Sequence, residues 1–113
     1  MKALGFLLSS MFIAGALIPS VQAKTVTVSQ KDKKFLIDGK PADKLKIKAG
    51  DTVVFVNDDS ASHNVFSTSD GMKFNLKIQK PKQQGKHKFE AKGSKGTIRC
   101  AIHPKMKMEV QVD

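Results

Sequence analysis

Three side chains that bind soft metals crowd one short segment of this chain. In Cys100-Ala101-Ile102-His103-Pro104-Lys105-Met106-Lys107-Met108, a thiol, an imidazole and a thioether stand at offsets 0, +3 and +6. A second imidazole, His63, lies far upstream in Ser62-His63-Asn64-Val65. Two His and one Cys in a trigonal set with a long axial Met describe a type 1 copper site, in which thiolate and thioether suit Cu(I) and imidazole suits both oxidation states. Zinc is the rival, because Cys and His bind it well. It has little use for a thioether, and its sites more often hold another cysteine or a carboxylate.

Each donor also has a plainer reading. Cys100 could be an inert core residue, but it is the only cysteine, and the chain opens like an exported one. Lys2, the apolar stretch 3–18, Pro19 and Val21-Gln22-Ala23 have the anatomy of a secretory signal peptide over 1–23. The apolar stretch falls short of the ~20 residues that span a bilayer, so no membrane insertion is expected once the leader is removed. In an oxidising compartment an unpaired cysteine is buried, joined to another chain or held by a metal, and a histidine at +3 favours the metal. His103, followed by Pro104, has no packing reason to sit in a loop. His63 alone would read as an ordinary strand-end histidine; beside the other donors it supplies the missing nitrogen. Met106 and Met108 compete for the axial place. Met108 shares parity with Val110 and Val112 on an inward strand face, which leaves Met106, nearer the loop, as the axial candidate. Met72 reads as a packing or exposed residue, and His87 as a solvated or half-packed strand residue.

The elements that must position these groups are strands. Thr25–Ser29, Leu45–Lys48, Phe74–Ile78 and Glu109–Val112 alternate apolar with polar residues, the period of a half-buried strand. Phe35-Leu36-Ile37 runs into Asp38-Gly39, a hairpin signal. Thr52–Asn57 is the most apolar run and is expected to be a central strand buried on both faces. Phe74–Ile78 is expected at a sheet edge, where lysines discourage pairing with another molecule. About eight short strands separated by Gly, Asp or Pro predict an all-β, two-sheet sandwich over 24–113.

The Cys-x-x-His-Pro-x-Met run, with Ser-His-Asn-Val at 62–65 and Ala-Gly-Asp-Thr-Val-Val-Phe-Val at 49–56, resembles the cupredoxins, specifically the small amicyanin- and plastocyanin-like blue copper proteins. That resemblance implies an eight-stranded Greek-key sandwich, one copper ion held by His63, Cys100, His103 and Met106, and Asn64 tying the first-ligand strand to the cysteine loop. It also implies electron exit through the edge of His103. One departure is the strand leading to the cysteine, Gly93 to Arg99, which lacks the tyrosines usual in relatives.

Charge bears on the partner. Lys and Arg number 20 against 10 Asp and Glu, a balance of +10 that falls by one without the leader. In a cytosolic chain this would suggest nucleic acid. The export signal and the absence of Trp and Tyr, the stacking residues, argue against it. The expected function is a monomeric periplasmic one-electron carrier, not an enzyme. Lys105 and Lys107 beside the exit call for a redox partner with an acidic docking face, such as a c-type cytochrome or a dehydrogenase. The alternative is a copper-tolerance protein that sequesters or delivers the metal; no Met- or His-rich tract supports it. A thiol nucleophile or a thiol–disulfide function lacks the arrangement or the second cysteine it would need.

Overall fold

The computed structural model describes residues 22–113, so the expected leader lies almost wholly outside the described residues. Alternation is realised as ten strands: β1 Thr25–Lys31, β2 Lys34–Ile37, β3 Lys40–Pro41, β4 Lys44–Ile47, β5 Asp51–Asn57, β6 His63–Ser67, β7 Phe74–Gln79, β8 Gln84–Phe89, β9 Lys95–Arg99 and β10 Lys107–Val112. They form two five-stranded sheets, β3-β2-β1-β5-β8 and β4-β10-β9-β6-β7. Most neighbours are antiparallel, but β1 runs parallel to β5 and β4 to β10, the pairings left when consecutive strands are dealt to opposite sheets. No helix among the described residues is long and apolar enough to cross a membrane.

The count exceeds the expected eight chiefly because Asp38-Gly39 turns β2 into the two-residue β3. Both turn residues have positive φ (52° and 77°), the geometry a two-residue hairpin turn requires. A second correction concerns β5. It is an inner strand, but its burial alternates: Asp51, Val53, Phe55 and Asn57 are buried, while the residues between them are half-buried. Only one face meets the opposite sheet, so the apolar run marks a well-covered strand rather than one enclosed on both sides. β7 lies at the outer edge of its sheet, as expected.

Val28, Phe35, Val53, Phe55 and Phe89 of the first sheet meet Leu45, Val65, Ile98, Met108, Val110 and Val112 of the second in a continuous core. Met72 joins it at 2% exposure. Phe74 closes one flank, stacked on His87 at 4.1 Å between centroids and edge-on to Phe89 at 5.7 Å. His87 is therefore a half-packed strand residue, held between Phe74 and Phe89.

Met72 is buried because the loop after β6 folds flat onto β9. Thr97 N–H donates to Ser69 Oγ at 3.0 Å, and the backbone of Gly96 lies directly under Ser69 and Met72. A Cβ at Gly96 would come within 2.4 Å of Ser69 Cβ and 2.8 Å of Met72 Sδ. Overpacking of this kind costs about 1–3 kcal/mol. Urea denaturation of Gly96→Ala should show a stability loss of about that size; a midpoint equal to the parent's would mean that the loop lifts off freely.

Candidate metal centre

β6 and β9 share a sheet, yet their ladder has a single pair, Phe66↔Arg99. Beyond it toward the loops the strands part, and the gap is filled by side chains from both. His63 opens β6 and is fully buried; Cys100 follows β9 at 2% exposure and is a free thiol. The chain then turns through His103 and returns at Met106 into β10. Met106 N–H donates to His103 O at 2.9 Å and Cys100 N–H to Met106 O at 3.2 Å, which closes the segment into a compact turn.

The two imidazoles converge on the sulfur. His63 Nδ1 lies 3.8 Å from Cys100 Sγ and His103 Nδ1 lies 3.6 Å from it. The three donors all fall within 4.8 Å of one another. A first-row metal with M–N near ~2.0 Å and M–S near ~2.3 Å holds a nitrogen and a sulfur about 3.5–3.7 Å apart at tetrahedral to trigonal angles. The set is thus already spaced for one ion. Met106 is buried at 2% and Met108 at 1%. Met108 pairs with Ile98 inside the sheet, whereas Met106 shares a shallow surface depression with Ile102, His103 and Pro104.

Asn64 grips the thiol from the opposite strand. Its backbone N–H donates to Cys100 Sγ at 3.3 Å, and its Oδ1 accepts from Ala101 N–H at 3.2 Å. These bonds replace the ladder where β6 and β9 separate. The amide is held in turn by β7: Asn64 Nδ2 donates to Asn75 Oδ1 at 3.0 Å and to Lys77 O at 3.3 Å. Asn75 Oδ1 also accepts from Lys77 N–H at 2.8 Å, across a register irregularity in the β6–β7 pairing. The family resemblance implies this role for Asn64; Asn75 has no motif to mark it.

Asp59 is the other group the sequence concealed, read only as part of a polar connector. Its Oδ2 lies 2.8 Å from His63 Nε2. The hydrogen bond from His63 holds the Asp59 carboxyl at about 2, far below its ordinary value. A carboxylate has only lone pairs to offer, so Nε2 is the donor of this pair and Nδ1 is the ring nitrogen that faces Cys100. His103 is only half-buried; desolvation, then the neighbouring His63 and Lys33, lower its pKa.

The comparisons with known proteins agree on one family. The copper binding proteins of the plastocyanin/azurin family match over residues 25–113. The "Methylamine utilization protein MauL" of Methylorubrum extorquens is 38% identical over 69 residues, a match spanning 60% of each chain. Amicyanin from Paracoccus versutus superposes with a TM-score of 0.66 at 27% identity, covering 83% of this chain and 86% of that one. A reduced Cu(I) form of a mutant amicyanin superposes at 0.67 with 23% identity, over 87% and 89% of the two chains. The fold and donor set define a small blue copper sandwich, a cupredoxin. The chain belongs to the plastocyanin/azurin family of copper-binding proteins, and its metal is a type 1 copper ion.

If Asn75 sets the Asn64 amide, Asn75→Ala should free Ala101 N–H, whose acceptor is Asn64 Oδ1. Hydrogen exchange at that amide is expected to rise by about three- to tenfold, the equivalent of one hydrogen bond, with core β10 amides unchanged. Unaltered exchange at Ala101 would show that Asn64 holds its orientation without β7.

Proposed function

We propose that this protein carries single electrons, with copper held by His63, Cys100 and His103 and by Met106 as the axial ligand. The observation that carries the reading is the exposure of one donor alone: His63 and Cys100 are sealed in the sandwich, while the His103 ring reaches the surface. Copper in this set supplies a one-electron couple, Cu(II)/Cu(I). The residues do the rest. Cys100 and His63 are fixed by Asn64 and Asp59, so the donor positions do not depend on solvent. His103 offers an imidazole edge between the inside and a docked partner. Cysteine, an easily oxidised ligand, is kept from water and from other thiols by burial.

The surface around that edge has one dominant sign. Ile102 is 46% exposed beside Pro104, and Lys33 and Lys105 flank the same depression. An adjoining cleft is lined by Lys33, Lys34, Lys105 and Lys107, with Asp43 as its acidic member. Lys33 and Lys34 come from the β1–β2 hairpin, about seventy positions before the loop they accompany. A small apolar contact ringed by lysines suits a redox protein with an acidic docking face, a c-type cytochrome or a dehydrogenase among them. The leader over 1–23 would deliver the chain to the periplasm, where it would act as a monomer.

The ligand reading is checked by absorption. The mature protein with Cu(II) is expected to show an intense visible thiolate-to-copper band, and Cys100→Ser to lack it; a colourless parent removes the proposal. The docking face is checked by electron exchange with small complexes. Exchange with an anionic one-electron complex should fall by about tenfold or more from ~10 to ~500 mM salt, and exchange with a cationic one should rise. Rates blind to salt would remove the steering by lysine. Copper passed to an acceptor without electron exchange would favour metal delivery instead.

A further inference from the structure

The buried imidazole is backed by a full negative charge. His63 is completely buried and the Asp59 side chain is 13% exposed, with 2.8 Å between Nε2 and Oδ2. A neutral backbone carbonyl could orient the ring equally well; a carboxylate adds a charge in a poorly screened place.

The loop is built to aim that carboxylate. Asp59 N–H donates to Asn57 Oδ1 at 2.9 Å, and Asn57 Nδ2 donates to Ala61 O and to Gln79 O, each at 2.9 Å. Asn57 is itself fully buried, so the turn hangs from the core. Ser60 N–H donates to Asp59 Oδ1 at 2.8 Å and Lys33 N–H to Oδ2 at 3.3 Å. With these bonds and His63, both oxygens are occupied. Asp58, its sequence neighbour, is exposed.

We infer that Asp59 is the positioning residue of the buried ligand: it locks the His63 ring with hydrogen on Nε2 and the Nδ1 lone pair toward Cys100, and its charge favours the oxidised state of the metal over the reduced one. The inference deepens the copper reading and rests on it for the second half only. The sign follows from electrostatics. Cu(II) carries one more positive charge than Cu(I), so a nearby fixed anion stabilises it more and lowers the reduction potential.

Two substitutions separate orientation from charge. Asp59→Asn keeps one acceptor oxygen for His63, gives up the bond from Ser60 N–H and removes the charge; Asp59→Ala removes acceptor and charge together. In the metal-free protein, imidazole nitrogen resonances should report the Nε2–H tautomer of His63 in the parent and in Asp59→Asn. In Asp59→Ala the Nδ1–H form should appear. In the copper-loaded proteins, the reduction potential should rise in Asp59→Asn although the ring keeps its tautomer. A parent-like potential in Asp59→Asn would overturn the charge assignment. A pure Nε2–H tautomer in Asp59→Ala, with β-sheet amide shifts intact, would overturn the positioning assignment. If the parent bound no copper with a thiolate band, the proposed function would fall, while the metal-free tautomer would still decide what Asp59 does to the ring.

Discussion

Everything at the metal end depends on how two strands of one sheet are held together where their ladder has stopped. β6 and β9 pair at Phe66 and Arg99 and then diverge. Divergence is required, since an imidazole cannot fit between strands at ladder spacing of about 4.8 Å. It also leaves backbone groups without partners in a buried place, which is costly. Asn64 resolves the conflict by using its backbone N–H on the cysteine sulfur and its side chain on the next amide. The same bonds that satisfy the gap fix the thiol that occupies it.

Around this join the molecule is arranged as successive supports. Asn75 and the irregular part of β7 hold Asn64; Asn57 and Gln79 hold the turn that presents Asp59; Asp59 holds His63. Gln30 from β1 reaches Gln79 at 2.6 Å, which links this chain of contacts to the first sheet. Of these polar groups, only Asp59 and Asn64 touch the metal-binding side chains; the others support those two. His63 and Cys100, held this way, have little freedom to move when the charge changes, because moving either would break bonds inside a closely packed sandwich. Low reorganisation is what a one-electron carrier requires of its protein.

The exterior has a different logic. Lysines are spread over most strands, and their repulsion along the β7 edge serves solubility and discourages pairing there. Near His103 they become a local feature, because a hairpin tip and a ligand loop far apart in sequence fold to one side of the imidazole. In the proposed docking, charge there would act on approach and orientation, with the exposed Ile102 as the dry contact at the centre.

The grouping of His63, Cys100 and His103 was legible in the linear chain because coordination chemistry is carried by residue type: Cys and His at short spacing, with Met beside them, have few other reasons to be together. Strands were legible because alternation is a local property, and the Asp38-Gly39 hairpin because positive φ selects those residues. Burial of β5 was overstated, since an apolar run does not reveal how many faces are covered. Asp59 and Asn75 were invisible. Nothing in the segment 57–62 distinguishes Asp59 from Asp58, and Asn75 is one polar residue in an alternating strand. Their roles come from partners brought in by folding: Asn57 and Gln79 beneath one turn, Asn64 across a strand pair. Residue chemistry and local period thus set which ion could be bound and by what kind of fold. Which carboxylate backs the buried ring, and which lysines surround the exposed one, were decided only when two sheets packed face to face.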